Sequence, residues 1–294
     1  MDKVSIIYGE ESNKINITKA LQLLKDDILF ALKNKDKILI KPNLVDPRVY
    51  LACTDKNSIF EFIKFLKVNN VNKKIIIAEG SAYDTETGFK NIGYYEIKKY
   101  YPEIEFIDLN KTEDYEIEIY DHNLNLMKIH ASKIMIKKLN PDIFYVSICR
   151  AKTHDTVLVT LSIKNIIVGS LLNEKFKIHQ GYKAINLSLA KIYKEYISPD
   201  LSIIDAFEAM EGDGPVNGQP IRLNLCVISL NPILADAVMT YLLGVEPYNV
   251  GYLFHLGVTQ KTLEKVQIVG IDNLEKFRKR VKLHSTFQEQ LSWK

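Results

Sequence analysis

Short apolar runs along this chain alternate with longer segments in which apolar residues recur at helical spacing. The short runs predict strands at 4–8, 37–41 and 74–79, and the longer segments predict helices at 17–34, 56–69 and about 91–101. Each predicted strand is apolar almost throughout, which is typical of strands that are buried on both faces. The first third of the chain is therefore predicted to be α/β, with parallel strands covered by helices.

The middle of the chain departs from this alternation. Two strand-like segments, 115–120 and 126–130, are separated by a short turn that contains Asp121-His122-Asn123, which predicts an antiparallel ribbon. Further along, strands are predicted at 143–148, 201–204 and 223–229, and helices at 184–196 and 233–243. The predicted fold is thus α/β, with mostly parallel sheets covered by helices and an antiparallel ribbon inserted mid-chain.

This pattern also predicts two lobes with a cleft between them. The first lobe covers residues 1–110, and the second covers residues 111–294. The second lobe carries both of the unusual polar segments, Lys152-Thr153-His154 and the glycine-rich loop at 208–220. A cleft between two lobes is a common place for a small-molecule site.

Composition and charge narrow the class of protein. With 39 basic and 36 acidic side chains the net charge is +3, which is too close to balance for a nucleic-acid coat. No apolar run is long enough to cross a membrane, and the first residues do not resemble a signal peptide, so we expect a cytoplasmic protein with no membrane partner. The cysteines, Cys53, Cys149 and Cys226, are widely spaced, which predicts no disulfide framework and no in-chain iron–sulfur cluster.

The densest group of polar residues follows the predicted strand at 143–148. Because the carboxyl ends of strands in open α/β sheets are where ligands bind, Lys152 and His154 are candidates for catalysis. We expect these two side chains to point in opposite directions if the segment is extended, whereas they could converge in a turn. Lys164, inside the apolar segment 157–168, is the third catalytic candidate, since burial would lower its pKa toward the range useful for acid/base chemistry.

Other residues are candidates for binding the substrate or a metal. Lys41 ends a strand directly before Pro42, which cannot join the ladder, so we expect its side chain at the rim of the sheet. Gly212 and Gly214 would let backbone N–H groups approach an oxyanion closely. The predicted substrate-binding set is completed by Asn43, Asn165 and His179, and the carboxylates of Asp205, Asp213 and Asp236 are candidates for holding a divalent metal.

Several of these segments resemble the DUF362 family, an uncharacterised group whose members are often joined to ferredoxin-like iron–sulfur modules. The resemblance covers roughly residues 37–257 in the family's order. It is carried by Ile40-Lys41-Pro42-Asn43-Leu44, Lys152-Thr153-His154, the segment 160–169, His179, Ile204-Asp205-Ala206, Gly212-Asp213-Gly214-Pro215 with Gly218, and Asp236. The resemblance implies a ferredoxin-like partner, but this chain has no Cys-x-x-Cys motif, so a cluster would have to come from another protein.

Three functions fit these observations. The first is a small-molecule enzyme that binds an anionic organic substrate in the cleft, with lysine or histidine moving a proton and a divalent metal as a candidate cofactor. The second, suggested only by the family's fusions, is an oxidoreductase or cofactor-handling partner of an iron–sulfur protein. The third is a non-enzymatic ligand-binding protein.

Overall fold

The structure, a computed structural model, describes residues 2–173 and 175–294, and in these residues eleven strands form two sheets. The strands are β1 (Lys3–Tyr8), β2 (Lys37–Lys41), β3 (Lys74–Glu79), β4 (Glu105–Asp108), β5 (Asp114–Tyr120), β6 (Leu126–Ser132), β7 (Ile143–His154), β8 (Leu158–Thr160), β9 (Leu201–Glu211), β10 (Gln219–Ser229) and β11 (Gln267–Val269). The main sheet has the order β11-β1-β10-β9-β7-β2-β3-β4, with β8 paired to β7, and β5 pairs with β6 separately.

One side of the main sheet is parallel, and it consists of the adjacent strands β9, β7, β2, β3 and β4. In register, Lys41 lies opposite Ser147 of β7, and Ile40 lies opposite Ile77 of β3. The carboxyl ends of β2 and β3 therefore lie side by side, and β7 continues past them. The mostly parallel α/β sheet predicted from the sequence is confirmed.

Helices cover both faces of the main sheet. They are α1 (Asn13–Leu23), α2 (Lys25–Leu32), α3 (Lys56–Val68), α4 (Thr85–Asn91), α5 (Ser162–Val168), α6 (Tyr182–Glu195), α7 (Pro232–Leu242), α8 (Gly251–His255) and α9 (Phe287–Gln290). One apolar core contains residues of α1 and α3, and the other contains residues of α5, α6 and α7. Strand β7 supplies Phe144 and Val146 to the first core and Tyr145 and Cys149 to the second, so it needs apolar residues at nearly every position.

The antiparallel ribbon predicted mid-chain is confirmed as the sheet of β5 and β6. Ile117 lies opposite Ile129 in its register, and both side chains are buried in the core that includes α6. The backbone N–H of Tyr120 donates to Ser188 Oγ of α6 at 2.9 Å. The ribbon therefore packs on the helix layer and does not extend the main sheet.

Two predicted helices differ from the structure. The helix predicted at 17–34 is divided at Leu24 (φ −112°, ψ 14°), and α2 begins with Asp26 and Asp27 in its first turn, where carboxylates interact favourably with the helix dipole. The α-helix predicted at about 91–101 is not observed there, because α4 ends at Asn91; this helix begins after Asp84, whose side chain accepts a hydrogen bond from the Thr87 backbone N–H. A short 3₁₀ helix, Tyr94–Lys99, follows.

The two predicted lobes and the cleft between them are not confirmed. Strands from both sides of residue 110 belong to the same sheet, since β2 pairs with β7 and β1 pairs with β10. The strand predicted at 143–148 continues to His154, and the one predicted at 201–204 continues to Glu211. Within the described residues, no helix combines the length and apolar character needed to cross a membrane.

Candidate functional site

A cavity of about 300 Å³ lies where strands β2, β3 and β7 end. It is lined mainly by residues of these strand ends, of helix α5, and of the segments that follow β3 and α5. This is the edge at which open parallel sheets bind ligands. Of the residues predicted from the sequence, the cavity brings together Lys41, Asn43, Lys152, His154, Lys164, Asn165 and His179.

Lys41 lies at one end of the cavity and is fully buried. Its Nζ donates to both carboxylate oxygens of Glu79 at 2.8 Å and to the Pro42 carbonyl at 3.0 Å. Burial lowers the pKa of Lys41, and the negative charge of Glu79 opposes this effect. Because Glu79 also accepts hydrogen bonds from the Leu44 and Gly80 backbone N–H groups, the charges at this end of the cavity are satisfied within the protein.

Asn165 and Gly169 connect helix α5 to this ion pair. The Asn165 side-chain amide donates to Ser147 Oγ at 3.0 Å, and its oxygen lies 3.4 Å from Lys41 Nζ. A Cβ atom at Gly169 would overlap both Lys41 Nζ and Glu79 Oε1. Glycine is therefore required here because the helix end approaches the ion pair so closely.

Lys152 reaches the cavity from strand β7 and has no exposed surface. Its Nζ donates to the Ala52 carbonyl at 2.7 Å and lies 3.4 Å from Asn43 Oδ1, and it has no carboxylate partner among the described residues. Burial, helped by the charge of Lys164, lowers the pKa of Lys152 to about 7. A substantial fraction of Lys152 is therefore neutral near physiological pH.

Lys164 differs from Lys41, Lys152 and Lys175, the other lysines of the cavity, because each of those has a hydrogen-bond acceptor. Its side chain is 6% exposed, and no described residue accepts a hydrogen bond from its Nζ. Burial lowers its pKa to about 8, against the attraction of Asp155. The charge of Lys164 also lowers the pKa values of Lys152, His154 and His179, which line the same cavity.

Helix α5 holds Lys164 in place through an unusual cap. The N-cap position is Leu161, which has no side-chain acceptor. Instead, the Ser162 and Ile163 backbone N–H groups donate to the carboxylate of Asp236 at 2.9 and 3.1 Å, and the Tyr252 hydroxyl donates to it at 3.0 Å. Asp236 is fully buried, and burial raises its pKa to about 7. A carboxylate from α7 thus supplies the cap that α5 lacks.

His154 ends strand β7 and faces the same cavity. The expectation that Lys152 and His154 point in opposite directions in an extended segment is wrong, because β7 continues through both and alternate residues of a strand point to the same face. Burial and the charge of Lys164 lower the pKa of His154 to about 3, so the ring is neutral. His154 Nδ1 lies 3.0 Å from the Thr156 backbone nitrogen and 3.0 Å from Asp155 Oδ1, so a donor and an acceptor both face this ring nitrogen.

The turn after His154 is held by hydrogen bonds to Gln290, a residue distant in sequence. Gln290 of α9 donates from Nε2 to the His154 carbonyl at 2.9 Å, and its oxygen accepts the Leu158 backbone N–H at 2.6 Å. Leu158 has φ 66°, a conformation that non-glycine residues rarely adopt. The two hydrogen bonds of Gln290 hold β7 and β8 together at this strained position, and no pattern in the sequence predicted them.

The rim of the cavity carries His179, Lys175 and Phe176. The His179 ring is stacked on the ring of His154, with 6.4 Å between centroids and 15° between planes. Lys175 Nζ donates to Asn110 Oδ1 at 2.6 Å, and burial lowers its pKa to about 8. Phe176 is 70% exposed, so its ring is an apolar surface at the cavity mouth.

Sequence reasoning missed three residues that line the cavity, Glu79, Lys175 and Phe176. Glu79 could have been predicted from the sequence. It is a carboxylate at the end of one apolar strand, and Lys41 is a lysine at the end of another. Parallel pairing of adjacent strands would have placed the two side by side. Lys175 and Phe176 follow α5 in a segment whose position only the tertiary structure determines.

The three carboxylates predicted to hold a metal are not brought together. Asp205 accepts hydrogen bonds from Asn13 and Ser58 and lines a different cavity. Asp213 is exposed near the end of the chain, and Asp236 is used by the cap of α5. Among the described residues, no three histidine, cysteine, aspartate or glutamate side chains are grouped so that they could hold a metal ion. The structure therefore does not support these residues as one metal site.

The glycine-rich loop also differs from the prediction. The Gly212 N–H donates to the Lys282 carbonyl at 2.6 Å, and the Gly214 N–H donates to the Gly212 carbonyl at 2.8 Å, so neither is available to an anion. A Cβ at Gly214 would overlap the Thr153 carbonyl, and Thr153 Oγ1 donates to the Gly212 carbonyl at 2.8 Å. These glycines serve the close packing of the loop on β7, and only Pro215 of this loop lines the cavity.

Fold and site together define an α/β protein with a lysine-rich cavity at the carboxyl edge of a mostly parallel sheet. The family model described as "Domain of unknown function (DUF362)" matches residues 38–241. Because this match covers more than half of the chain, the chain belongs to the DUF362 family, and the resemblance noted from the sequence is confirmed. The matched region includes every lysine and histidine that lines the cavity.

A curated relative extends the comparison. Thylakoid-associated protein sll1697 of Synechocystis sp. is 24% identical to this chain over 222 residues. The matched region covers 74% of this chain and 65% of the relative, so the chain spans less than two thirds of the relative's length. The name of the relative states where that protein is found and names no substrate.

Proposed function

We propose that this protein is a small-molecule enzyme that binds an anionic organic substrate in the cavity and uses its lysine and histidine side chains to move a proton. The observation that carries the proposal is the charge of the cavity lining. Lys41, Lys152, Lys164 and Lys175 line it, whereas Glu79 and Asp155 are its carboxylates among the described residues. With both histidines neutral, this leaves an excess of positive charge inside a cavity of about 300 Å³.

The position of the unpaired charge indicates where the anion binds. Glu79 neutralises Lys41, so the excess is shared by Lys152, Lys164 and Lys175, of which Lys164 has no hydrogen-bond acceptor among the described residues. Burial without a carboxylate partner is unfavourable for an ammonium group, and a bound anion would remove that cost. Leu44, Val45 and Val168 form apolar surface beside these lysines, which suits the carbon skeleton of an organic acid.

The proton-transfer roles follow from the pKa values. Lys152 with a pKa of about 7 and Lys164 with a pKa of about 8 can each exist as acid or base near neutral pH. The His154 ring is neutral and lines the cavity, so it offers the substrate a hydrogen bond without a full charge. We therefore assign proton transfer to Lys164 and Lys152 and orientation to His154.

Calorimetric titration with matched acids and amides tests the binding part of the proposal. Lactate and benzoate should bind, whereas lactamide and benzamide should not, because only the acids supply the missing charge. Lys164→Met should weaken acid binding by about tenfold or more, the value of one charge-assisted contact, and the exposed Lys261→Met should leave it unchanged. Equal binding of acids and amides, or equal affinities of the two variants, would contradict the proposal.

The same titrations should reveal proton uptake. A bound anion raises the pKa values of Lys152 and Lys164 above their present values of about 7 and about 8, so the complex takes up protons near pH 8. Repeating the titration in two buffers of different ionisation enthalpy measures this uptake. Its absence would mean that the anion binds away from the two lysines.

Solvent exchange separates an enzyme from a ligand-binding protein. In deuterated water, an enzyme that moves a proton at carbon should incorporate deuterium into the bound acid, as followed by proton NMR. Lys164→Met should abolish this exchange. If the acids bind and none of them exchanges, the non-enzymatic alternative is favoured.

A ferredoxin-like partner and a cytoplasmic location remain predictions from the sequence.

A further inference from the structure

We propose that Lys164 reacts with the carbonyl group of a 2-oxo acid to form a covalent imine. This inference rests on the proposed function, because it uses the same cavity and the same anion-binding lysines, and it names the substrate class and the bond that forms. Three features carry it: the isolation of the Lys164 amine, the cation beside it, and the shape of the cavity around both.

The first feature is that the Lys164 nitrogen has no hydrogen-bond acceptor among the described residues, while its side chain lines the cavity. Its side chain is nearly fully buried in the cavity wall, yet no described residue accepts a hydrogen bond from Nζ. Lys41, in contrast, donates to Glu79, Pro42 and Asn165. A buried amine without an acceptor loses little by giving up its proton, and the neutral amine is the form that attacks a carbonyl carbon.

The second feature is that a second lysine lies close enough to influence Lys164. Lys152 and Lys164 line the same cavity, and the charge of Lys164 lowers the pKa of Lys152, so the site disfavours two ammonium groups at once. Lys152 is held by the Ala52 carbonyl, so it stays in place as a binding group. A carboxylate bound at Lys152 would leave the adjacent carbonyl carbon of a 2-oxo acid within the space that Lys164 shares.

The third feature is the size and lining of the cavity. Its volume of about 300 Å³ suits a small acid, and the apolar side chains of Val45 and Val168 lie beside the lysines. Displacement of water from this space favours imine formation, because water is a product of the reaction. The apolar wall then accommodates the alkyl group of the 2-oxo acid.

The step balances without an outside oxidant or reductant. The neutral Lys164 nitrogen forms a bond to the carbonyl carbon, and the oxygen takes up a proton to give a carbinolamine. The nitrogen loses one proton, the hydroxyl group takes up another and leaves as water, and the remaining C–N double bond is protonated. In total, one amine, one carbonyl group and one proton give one iminium ion and one water molecule, and Lys152 in its ammonium form, which lines the same cavity, supplies the proton.

Borohydride trapping tests this inference. The intact protein is incubated with pyruvate or 2-oxobutanoate, reduced with borohydride, digested, and analysed by mass spectrometry. We expect a reduced adduct at Lys164, absent from Lys164→Met and retained in Lys261→Met. At pH 8 about half of Lys164 is the neutral amine, whereas an exposed lysine is less than about 1% neutral, so labelling at Lys164 should exceed that at exposed positions.

Two control ligands separate the outcomes. Butanone has a carbonyl group but no carboxylate and should label Lys164 at least about tenfold less than 2-oxobutanoate does. Lactate has no carbonyl group, so it should compete with labelling and form no adduct. Labelling at Lys164 no greater than at exposed lysines overturns the imine, and if lactate still binds with proton uptake, the proposed function stands without it.

Discussion

The two ends of the cavity hold lysines in opposite states. At one end, Lys41 is fully buried and its ammonium group is surrounded by the Glu79 carboxylate and two further oxygens. At the other end, Lys164 is almost as buried and has no hydrogen-bond partner among the described residues. Lys41 and Lys164 are therefore similarly buried in one cavity. The ammonium group of Lys41 has several hydrogen-bond acceptors, whereas that of Lys164 has none among the described residues.

This difference separates a structural role from a binding role. An ion pair that is complete within the protein gains nothing from a ligand, and removing one partner leaves a buried charge. An unpaired buried lysine lowers stability until something anionic binds. Glu79 is thus the reason that Lys41 belongs to the framework of the site, while Lys164 is available to a substrate.

The largest expected effect is on stability at the paired end. Lys41→Met leaves Glu79 buried without its cation, and we expect the free energy of unfolding to fall by about 3–5 kcal/mol. Lys164→Met removes a charge that has no partner, so its free energy of unfolding should stay within about 1 kcal/mol of the original protein or increase. Denaturation with urea measures both.

A double variant sharpens this comparison. Lys41→Met with Glu79→Gln removes both charges and keeps an oxygen for the Leu44 or Gly80 N–H. It should regain much of the stability lost in Lys41→Met alone, because the uncompensated charge is gone. If Lys41→Met proves no more harmful than Lys164→Met, the contrast between the two ends of the cavity is wrong.

The next effect concerns the helix that carries Lys164. Asp236→Ala leaves two backbone N–H groups of α5 and the Tyr252 hydroxyl without an acceptor, and should lower the free energy of unfolding by about 2–3 kcal/mol. Acid binding should weaken as well, since α5 positions Lys164. Asp213→Ala, at an exposed carboxylate, is the control and should change stability by less than about 0.5 kcal/mol. Equal losses in the two variants would show that Asp236 does not hold α5.

The dependence of stability on pH tests directly whether Lys164 is a buried charge without a carboxylate partner. The pKa of Lys164 is about 8 in the folded protein and near 10.5 in the unfolded chain, so between these pH values the unfolded chain holds more protons. Below about pH 8 the folded protein carries the full unfavourable free energy of burying the Lys164 charge. As pH rises, Lys164 loses its proton in the folded state, so the free energy of unfolding should increase by about 1–2 kcal/mol from about pH 7 to about pH 9.5.

Lys164→Met isolates this contribution. The variant should gain less stability than the original protein over the same pH range, because Lys152 and Lys175 are then the cavity lysines without a carboxylate partner in the described part of the chain. Urea denaturation at several pH values gives both curves. Parallel curves would mean that Lys164 is not a buried charge in solution.

The smallest effect is expected at the rim. Phe176→Ala removes an exposed ring and should change the free energy of unfolding by less than about 0.5 kcal/mol. Affinity for benzoate should fall more than affinity for lactate, because only the aromatic acid is large enough to reach the ring at the mouth. Calorimetric titration of both acids compares them, and equal losses would place Phe176 outside the binding surface.

Much of the fold followed from the hydrophobic pattern, and parts of it did not. The runs at 37–41 and 74–79 correspond to β2 and β3, because strands buried on both faces carry an unmistakable apolar signal. The extension of β7 to His154 was missed, since Arg150 and Lys152 are charged residues that a pattern of apolar positions assigns to a loop. Their burial depends on partners distant in sequence, Cys53 and Ala52 among them.

The chain alone determined which residue types could form a site, since Lys41, Lys152, His154 and Lys164 were recognised by their unusual neighbours in the sequence. Only the tertiary structure decided their states. Whether a buried lysine is neutralised depends on a carboxylate that another strand brings within hydrogen-bonding distance, as Glu79 does for Lys41 and as no described residue does for Lys164. Electrostatic pairing acts over a few ångströms in space, and separation along the sequence does not measure that distance.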